Sequence, residues 1–432
     1  MFRGMGEFPT RRGVLFGVGA LGIALGSSRL LERRPAQVRL LSETVAFDGS
    51  GFRRLVGEAD LTRLRPGSRC LVTASADLVR AERAYLETRP AWAHQGGPHQ
   101  DLLDSALLDL WILGERLPAP VAGWSPPWRF VWSRDAAHVA VAHAALGDLD
   151  RALAPLTFLA ALQESSGWFE PRYDPWTRRA PDGRAHQLDA TAWVVWAAAR
   201  LTALLPGEAD RIQAVTGRMV RASAALLAHL LDTQDLPPAT PDYWEVRTPA
   251  LTLGTAAAVR AGLHAAYDLG REWDDAALAD RSREAVARLD LALSRTFAPA
   301  GWPREIDGRA VDAAVAFLTM PYAAGSPPAG VVAALDRFRR TAARPAGGVA
   351  PGADWKQDGI SWTPETALLA QAYAHLGRVE DADRLLAWLT AQRTRAGSLP
   401  EKVLADGHPA AVAPLAWTAA LVVTTIARLR GH

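Results

Sequence analysis

Cysteine is almost absent from this sequence. Cys70 is the only one in 432 residues, which excludes an intramolecular disulfide framework and any metal site built on thiolates. Lysine is nearly absent as well. It occurs only at Lys356 and Lys402, and arginine carries the rest of the positive charge. Neither sign of charge is in excess: 48 basic against 46 acidic residues leave a formal +2, so no electrostatic footprint for nucleic acid is expected. Long apolar runs are missing too. The one conspicuous run, Gly13 to Gly26, is shorter than the roughly 20 residues a membrane span requires. Strand-like alternation is scarce, and is confined to residues 36–75.

The amino end has a recognisable composition. Arg11-Arg12 precede the short Gly-rich apolar run, and Arg29, Arg33 and Arg34 follow it. A twin arginine in that setting resembles a twin-arginine export signal. No A-x-A cleavage site is evident, so a cleaved signal and an uncleaved anchor both stay open for residues 1–34. The expected location is extracellular or at the cell surface, with any membrane attachment through this segment alone. Residues 35–99 read as a segment leading into the main domain, residues 100–432.

Past residue 100 the apolar residues recur at i, i+3, i+4 and i+7. The pattern predicts twelve helices: 101–117, 134–147, 150–164, 186–204, 207–233, 249–270, 274–296, 309–320, 328–341, 363–377, 379–393 and 414–430. Gly147 and Gly377 follow the last periodic residue of their helices, where a left-handed cap belongs. The connections alternate. Every second one is short; the others are long, rich in Trp, Gly, Pro and Asp, and centred near residues 128, 178, 244, 305, 355 and 405. Such regular spacing marks a structural repeat. Helical hairpins around an axis would form a closed all-α barrel with the six long loops at one end; an open solenoid is the alternative.

The long loops carry aromatic and charged residues together, which is the composition of functional loops. Trp124, Trp128 and Trp132 accompany Arg134 and Asp135 in the first; Trp168, Tyr173 and Trp176 stand in the second. Aromatic faces beside hydrogen-bonding charges suit a sugar. Asp135 and Asp189 also read as ordinary helix-start residues. Glu245 stands between Trp244 and Val246, whereas Glu401 follows Pro400 in an open loop beside Lys402. An apolar setting raises one carboxyl and a cation lowers the other, the division of labour that glycosidic cleavage requires.

The segments FVWSRDAA, QLDATAWVVWA, YWEVR, SWTPETALLA and GSLPEKVLADGHPAAVAPLAW resemble, in order, the motifs of the glucoamylase-like glycoside hydrolases of family 15. The resemblance covers about residues 100–432. It implies an (α/α)6 barrel of the six-hairpin glycosidase type and exo-acting, inverting hydrolysis of α-linked glucosides. Carried over position by position, Glu245 matches the general acid and Glu401 the general base. Trp132, Arg134 and Asp135 match the residues that hold the terminal glucose, with Trp244 beside the acid and Trp417 on the last helix. Val246 stands where the fungal branch has a second Glu. The GGVAPG stretch lacks an Arg that many members carry, which leaves Arg304 or Lys356 to supply that cation. The implied partner is an oligo- or polysaccharide, with no metal or organic cofactor, and the chain is expected to be a monomer.

Three other readings remain. One is a different linkage, an α-1,6 glucan or trehalose. Another is a non-catalytic glucan-binding protein on the same scaffold. The last is an unrelated helical-barrel epimerase or lyase, against which the lack of a convincing His pair in two long loops speaks. For the amino end, replacing Arg11 and Arg12 together by Lys should hold the protein in the cytoplasm, as cell fractionation would read out; continued export would exclude the twin-arginine route.

Overall fold

The computed structural model describes residues 38–231 and 235–432; the twin-arginine segment lies outside them. Residues 38–99 form a hairpin of β1 (Thr44–Phe47) and β2 (Arg53–Val56), then α1 (Ala76–Glu87). Ser75 caps α1 by accepting from Leu78 N. These elements lie against α2 (Gln100–Gly114), and Val45, Phe47, Cys70 and Leu78 join the main core. That cover explains why α2 is buried nearly all round.

From α2 onward the chain alternates between two layers. The inner elements are α3 (Ser133–Ala145), α5 (Leu188–Leu204), α7 (Leu253–Glu272), a 3-10 helix (Ala313–Leu318), α10 (Thr363–His375) and α12 (Ala416–Leu429). The outer ones are α2, α4 (Leu149–Ala160), α6 (Ala209–His229), α8 (Ala276–Thr296), α9 (Val331–Thr341) and α11 (Val379–Ala391). Each inner element packs on the next, and α12 packs back on α3, so the ring closes into an (α/α)6 barrel rather than an open solenoid. Composition follows position. Inner helices are buried on every face, as α3, α10 and α12 show, while α8, α9 and α11 bury a single stripe.

The tight turns expected at Gly147 and Gly377 are present, both in the left-handed region (φ 74° and 73°). The helix expected over 309–320 is instead the 3-10 helix of six residues. Asp312 caps it at one end, and Pro321, at the other, disfavours helical geometry in the residue before it. Strands β1 and β2 fall within residues 36–75, the region that reads as strand-like from sequence, and α1 begins just past it.

The amino-terminal segment is pinned to the barrel by a buried ion pair. Arg69 Nη2 lies 2.7 Å from Asp109 Oδ1 on α2. Asp109 also accepts from Ser398 Oγ at 2.7 Å and from Leu399 N at 2.8 Å, two residues before Glu401. One carboxylate thus ties the segment, an outer helix and the sixth long loop. Replacing Asp109 by Ala would leave Arg69 buried and unpaired, so a loss of about 3–5 kcal/mol is expected, measurable by urea unfolding.

Candidate functional site

The six long loops meet at one end of the barrel, and each is bonded to its neighbours. The first and second pair through β3 (Val131–Trp132) and β4 (Arg172–Tyr173). The second reaches the third where Leu188 N donates to Thr240 Oγ1 and Arg184 meets Glu245. The third and fourth join through Leu253 N to Arg304 O, and the fourth and fifth through Ala313 N to Pro351 O. The fifth and sixth share a sheet of β5 (Ser361–Trp362), β6 (Lys402–Val403) and β7 (Pro409–Ala410). The sixth returns to the first through Ala416 N to Ala122 O and through Trp128 Nε1, which donates to Glu401 Oε1 at 3.2 Å.

Inside this rim is a cavity of about 230 Å³. Trp132, Arg134, Asp135, Trp244, Glu245, Glu401 and Trp417 all line it, together with Trp128, Trp355, Trp362 and Glu365. Five of its indoles, those of Trp132, Trp244, Trp355, Trp362 and Trp417, keep Nε1 sealed from solvent with no hydrogen-bond partner among the described residues. Arg134 Nε and Nη1 are in the same state, although Nη1 lies 3.5 Å from Glu245 Oε1. Buried donors of this kind are normally satisfied; the same state recurs at Trp111, Trp193 and Trp273, which are not on the cavity wall.

Arg134 is built into α3. Burial opposes its charge, but Asp135, Glu245 and Asp189 outweigh burial and hold the guanidinium more firmly ionised than usual. One turn on, burial pushes the His138 imidazole down to about 3. Neutral, it donates from Nδ1 to Arg134 O at 2.8 Å and accepts at Nε2 from Tyr322 Oη at 2.9 Å. The start of α3 is thereby fixed from below.

Glu245 departs from the setting its neighbours in sequence suggest. It is not enclosed by apolar groups: its side chain pairs with Arg184 Nη1 at 2.8 Å and faces Arg134. Its backbone is left-handed (φ 58°), a strained state for a residue with a side chain. A turn imposes it, with Glu245 N donating to Asp242 O and Trp244 N to Asp242 Oδ1. Asp242 is in turn held by Arg304, whose guanidinium bridges Asp242 and Asp312 at 2.9 and 2.8 Å and stacks 3.5 Å from the centre of the Trp244 ring. Gly352 leaves room for that ring, since a Cβ there would stand 2.6 Å from it.

Arg304 is therefore buried behind Trp244 and absent from the cavity wall. Lys356 is exposed beside Trp355 and is likewise off the wall. Glu245 meets Arg134 and Arg184; Arg184, also off the wall, has no sequence signal because it lies in a loop without periodicity. Glu365 was also missed, though it stands within the quoted segment SWTPETALLA. It is buried in the first turn of α10. Burial, then the nearby Glu401 charge, push its carboxyl up to about 8. Asp189 lies in the first turn of α5, past its N-cap Gln187; it is buried near Arg134, and burial pushes it up to about 7. Among the described residues one grouping has metal-ligand spacing, Glu164, Glu170 and His186, outside the cavity wall. There His186 already pairs with Glu164 at 2.9 Å.

Among solved structures, the fold resembles a bacterial glucoamylase complexed with acarbose, at 18% identity and TM-score 0.66, over 82% of this chain and 58% of that one. It resembles a variant glycosidase in complex with glucose at 17% and 0.66, over 77% and 96%. The glucoamylase of Saccharomycopsis fibuligera aligns at 15% and 0.59, over 80% and 99%. Identities this low establish a shared fold. No protein-family model matches the chain, and no curated protein does.

The raised carboxyls at Asp189 and Glu365 have a consequence for stability. Their ordinary values are 3.8 and 4.5, and the folded values are about 7 and 8. Between those limits the folded protein binds more protons than the unfolded chain, so stability is full below about pH 4 and lost as pH rises through 7–8. The melting temperature should fall between pH 5 and pH 9. Asp189→Asn and Glu365→Gln should each flatten that slope, which calorimetry over pH would test.

Proposed function

We propose that this chain is a glycoside hydrolase that removes the terminal unit of an α-linked glucoside with inversion, Glu245 acting as general acid and Glu401 as general base. The observation that carries the reading is that Glu245 of the third loop and Glu401 of the sixth line one cavity walled by six tryptophans. Aromatic faces pack against the C–H surfaces of a sugar ring, and the charged groups of the wall hydrogen-bond to its hydroxyls. The solved structures of this fold that carry acarbose or glucose agree with a sugar ligand.

In this mechanism Glu245 gives a proton to the glycosidic oxygen as the bond to the anomeric carbon breaks. Glu401 takes a proton from a water that attacks that carbon from the opposite face. Trp128 and Lys402 orient Glu401, the ammonium lying 3.4 Å from Oε2. Arg134 and Asp135 bind hydroxyls of the terminal unit. Arg184 is partly exposed and pairs with Glu245 at 2.8 Å, so proton donation requires that this pair open.

A second reading is a glucan-binding protein on the same scaffold. It is favoured by the engagement of Glu245 in two ion pairs, with Arg184 at 2.8 Å and Arg134 at 3.5 Å. Sugar release and binding, measured on maltose, isomaltose, trehalose, starch and dextran, decide between the two. For the hydrolase, Glu245→Gln and Glu401→Gln should each lower kcat by orders of magnitude with KM little changed, and NMR should show β-glucose as the first product. Tight binding without release by the unaltered protein would establish the binding role instead.

A further inference from the structure

The mechanism above leaves one carboxyl of the cavity without a task. Glu365 is 3% exposed and lines the same wall as Glu401. Its Oε2 is sealed from solvent and has no hydrogen-bond partner among the described residues. An ionised carboxylate in that state would lose its hydration with little in return. A first-turn acid serves a helix most simply when it is ionised and solvated; Glu365 is turned into the cavity instead.

Its position beside Glu401 is built in. Thr363 N donates to Glu401 O at 3.0 Å, and Thr363 Oγ1 donates to Pro400 O at 2.5 Å. Trp362 pairs with Lys402 across β5 and β6. The start of α10 and the strand that carries Glu401 are therefore one rigid piece, and neither carboxyl can withdraw from the other by a hinge in between.

We propose that Glu365 is a substrate-contacting, specificity-determining residue: an un-ionised carboxylic acid that donates a hydrogen bond to a hydroxyl of the sugar bound beside Glu401. This rests on the sugar-binding reading of the cavity. The charged groups around Glu365 fit it. Burial and the Glu401 charge oppose its ionisation; Arg134 on α3 and Lys402 in the sixth loop favour ionisation less strongly, so the proton stays until about pH 8. Tyr243, in the third loop, keeps its own proton well beyond that range, chiefly through burial. Glu365 therefore serves as a donor at neutral pH and turns into a repelled anion in mild alkali.

The test is calorimetric binding of glucose at pH 6 and pH 9 to the unaltered protein, Glu365→Gln and Glu365→Leu, with kcat and KM on the glucoside that the protein cleaves. Glutamine keeps a donor and cannot ionise; leucine has no donor. The unaltered protein should bind glucose about three- to tenfold more weakly at pH 9, the size of one neutral hydrogen bond. Glu365→Gln should match it at pH 6 and lose that pH dependence. Glu365→Leu should be weakened by a similar factor at both pH values, mainly in KM. A pH-independent affinity in the unaltered protein overturns the proposal even if the leucine variant fails to fold. Equal losses in the Gln and Leu variants also overturn it, since that marks a packing role. If the unaltered protein cleaves glucosides while both variants behave like it, only the role of Glu365 falls. If it binds no glucose at either pH, the sugar-binding reading falls with it.

Discussion

Every inner element of this barrel is entered from a long loop, and all but the last lead into an outer helix. They all begin at the same end. Their first backbone N–H groups, which have no partner within a helix, converge there together with the positive ends of the helix dipoles. Buried carboxyls gather where that potential is available. Asp135, Asp189 and Glu365 stand in the first turns of α3, α5 and α10, and desolvation is the largest influence on each. Isolated in a core these groups would be costly. A helix start offsets part of that cost, up to about 2 kcal/mol in partly buried cases, and Arg134 offsets more.

The rim works differently from the barrel that carries it. Its loops are irregular, yet each is bonded to both neighbours, so their geometry is set collectively. Arg304 shows how. By bridging Asp242 and Asp312 beneath the Trp244 ring, it fixes the turn that forces Glu245 into a left-handed backbone. Strain at Glu245 persists because the surrounding bonds over-determine it. Asp109 does the same for the approach to Glu401 from the other side of the barrel.

What could be read from sequence follows from this division. Helical periodicity is local, so eleven of the twelve barrel elements were legible; the exception is the stretch between Asp312 and Pro321, too short for more than a 3-10 helix. The motif residues were legible as a set because Trp132, Arg134, Asp135, Trp244, Glu245, Glu401 and Trp417 do converge. The cation was misplaced. Arg304 and Lys356 were offered in place of an Arg missing from the GGVAPG stretch and neither reaches the cavity wall, whereas Arg184 comes to Glu245 from the second loop by a path no periodicity encodes. Glu365 was overlooked for the opposite reason: a glutamate at a helix start looks ordinary until its burial is known. The apolar setting inferred for Glu245 failed because neighbours along an irregular turn need not enclose one another.

The crowding of tryptophan around the cavity also has an optical side. Of the 16 tryptophans in the chain, Trp128, Trp132, Trp244, Trp355, Trp362 and Trp417 face this one space. Indole emission depends on the polarity and hydrogen bonding around the ring, and five of the six have an N–H without a partner among the described residues. The T-shaped sequence Trp244–Trp355–Trp362, with centroids 4.7 and 5.4 Å apart, is also close enough to pass excitation from ring to ring. The cavity is therefore its own fluorophore: whatever fills it alters the intrinsic emission of the protein, and occupancy is visible without a label.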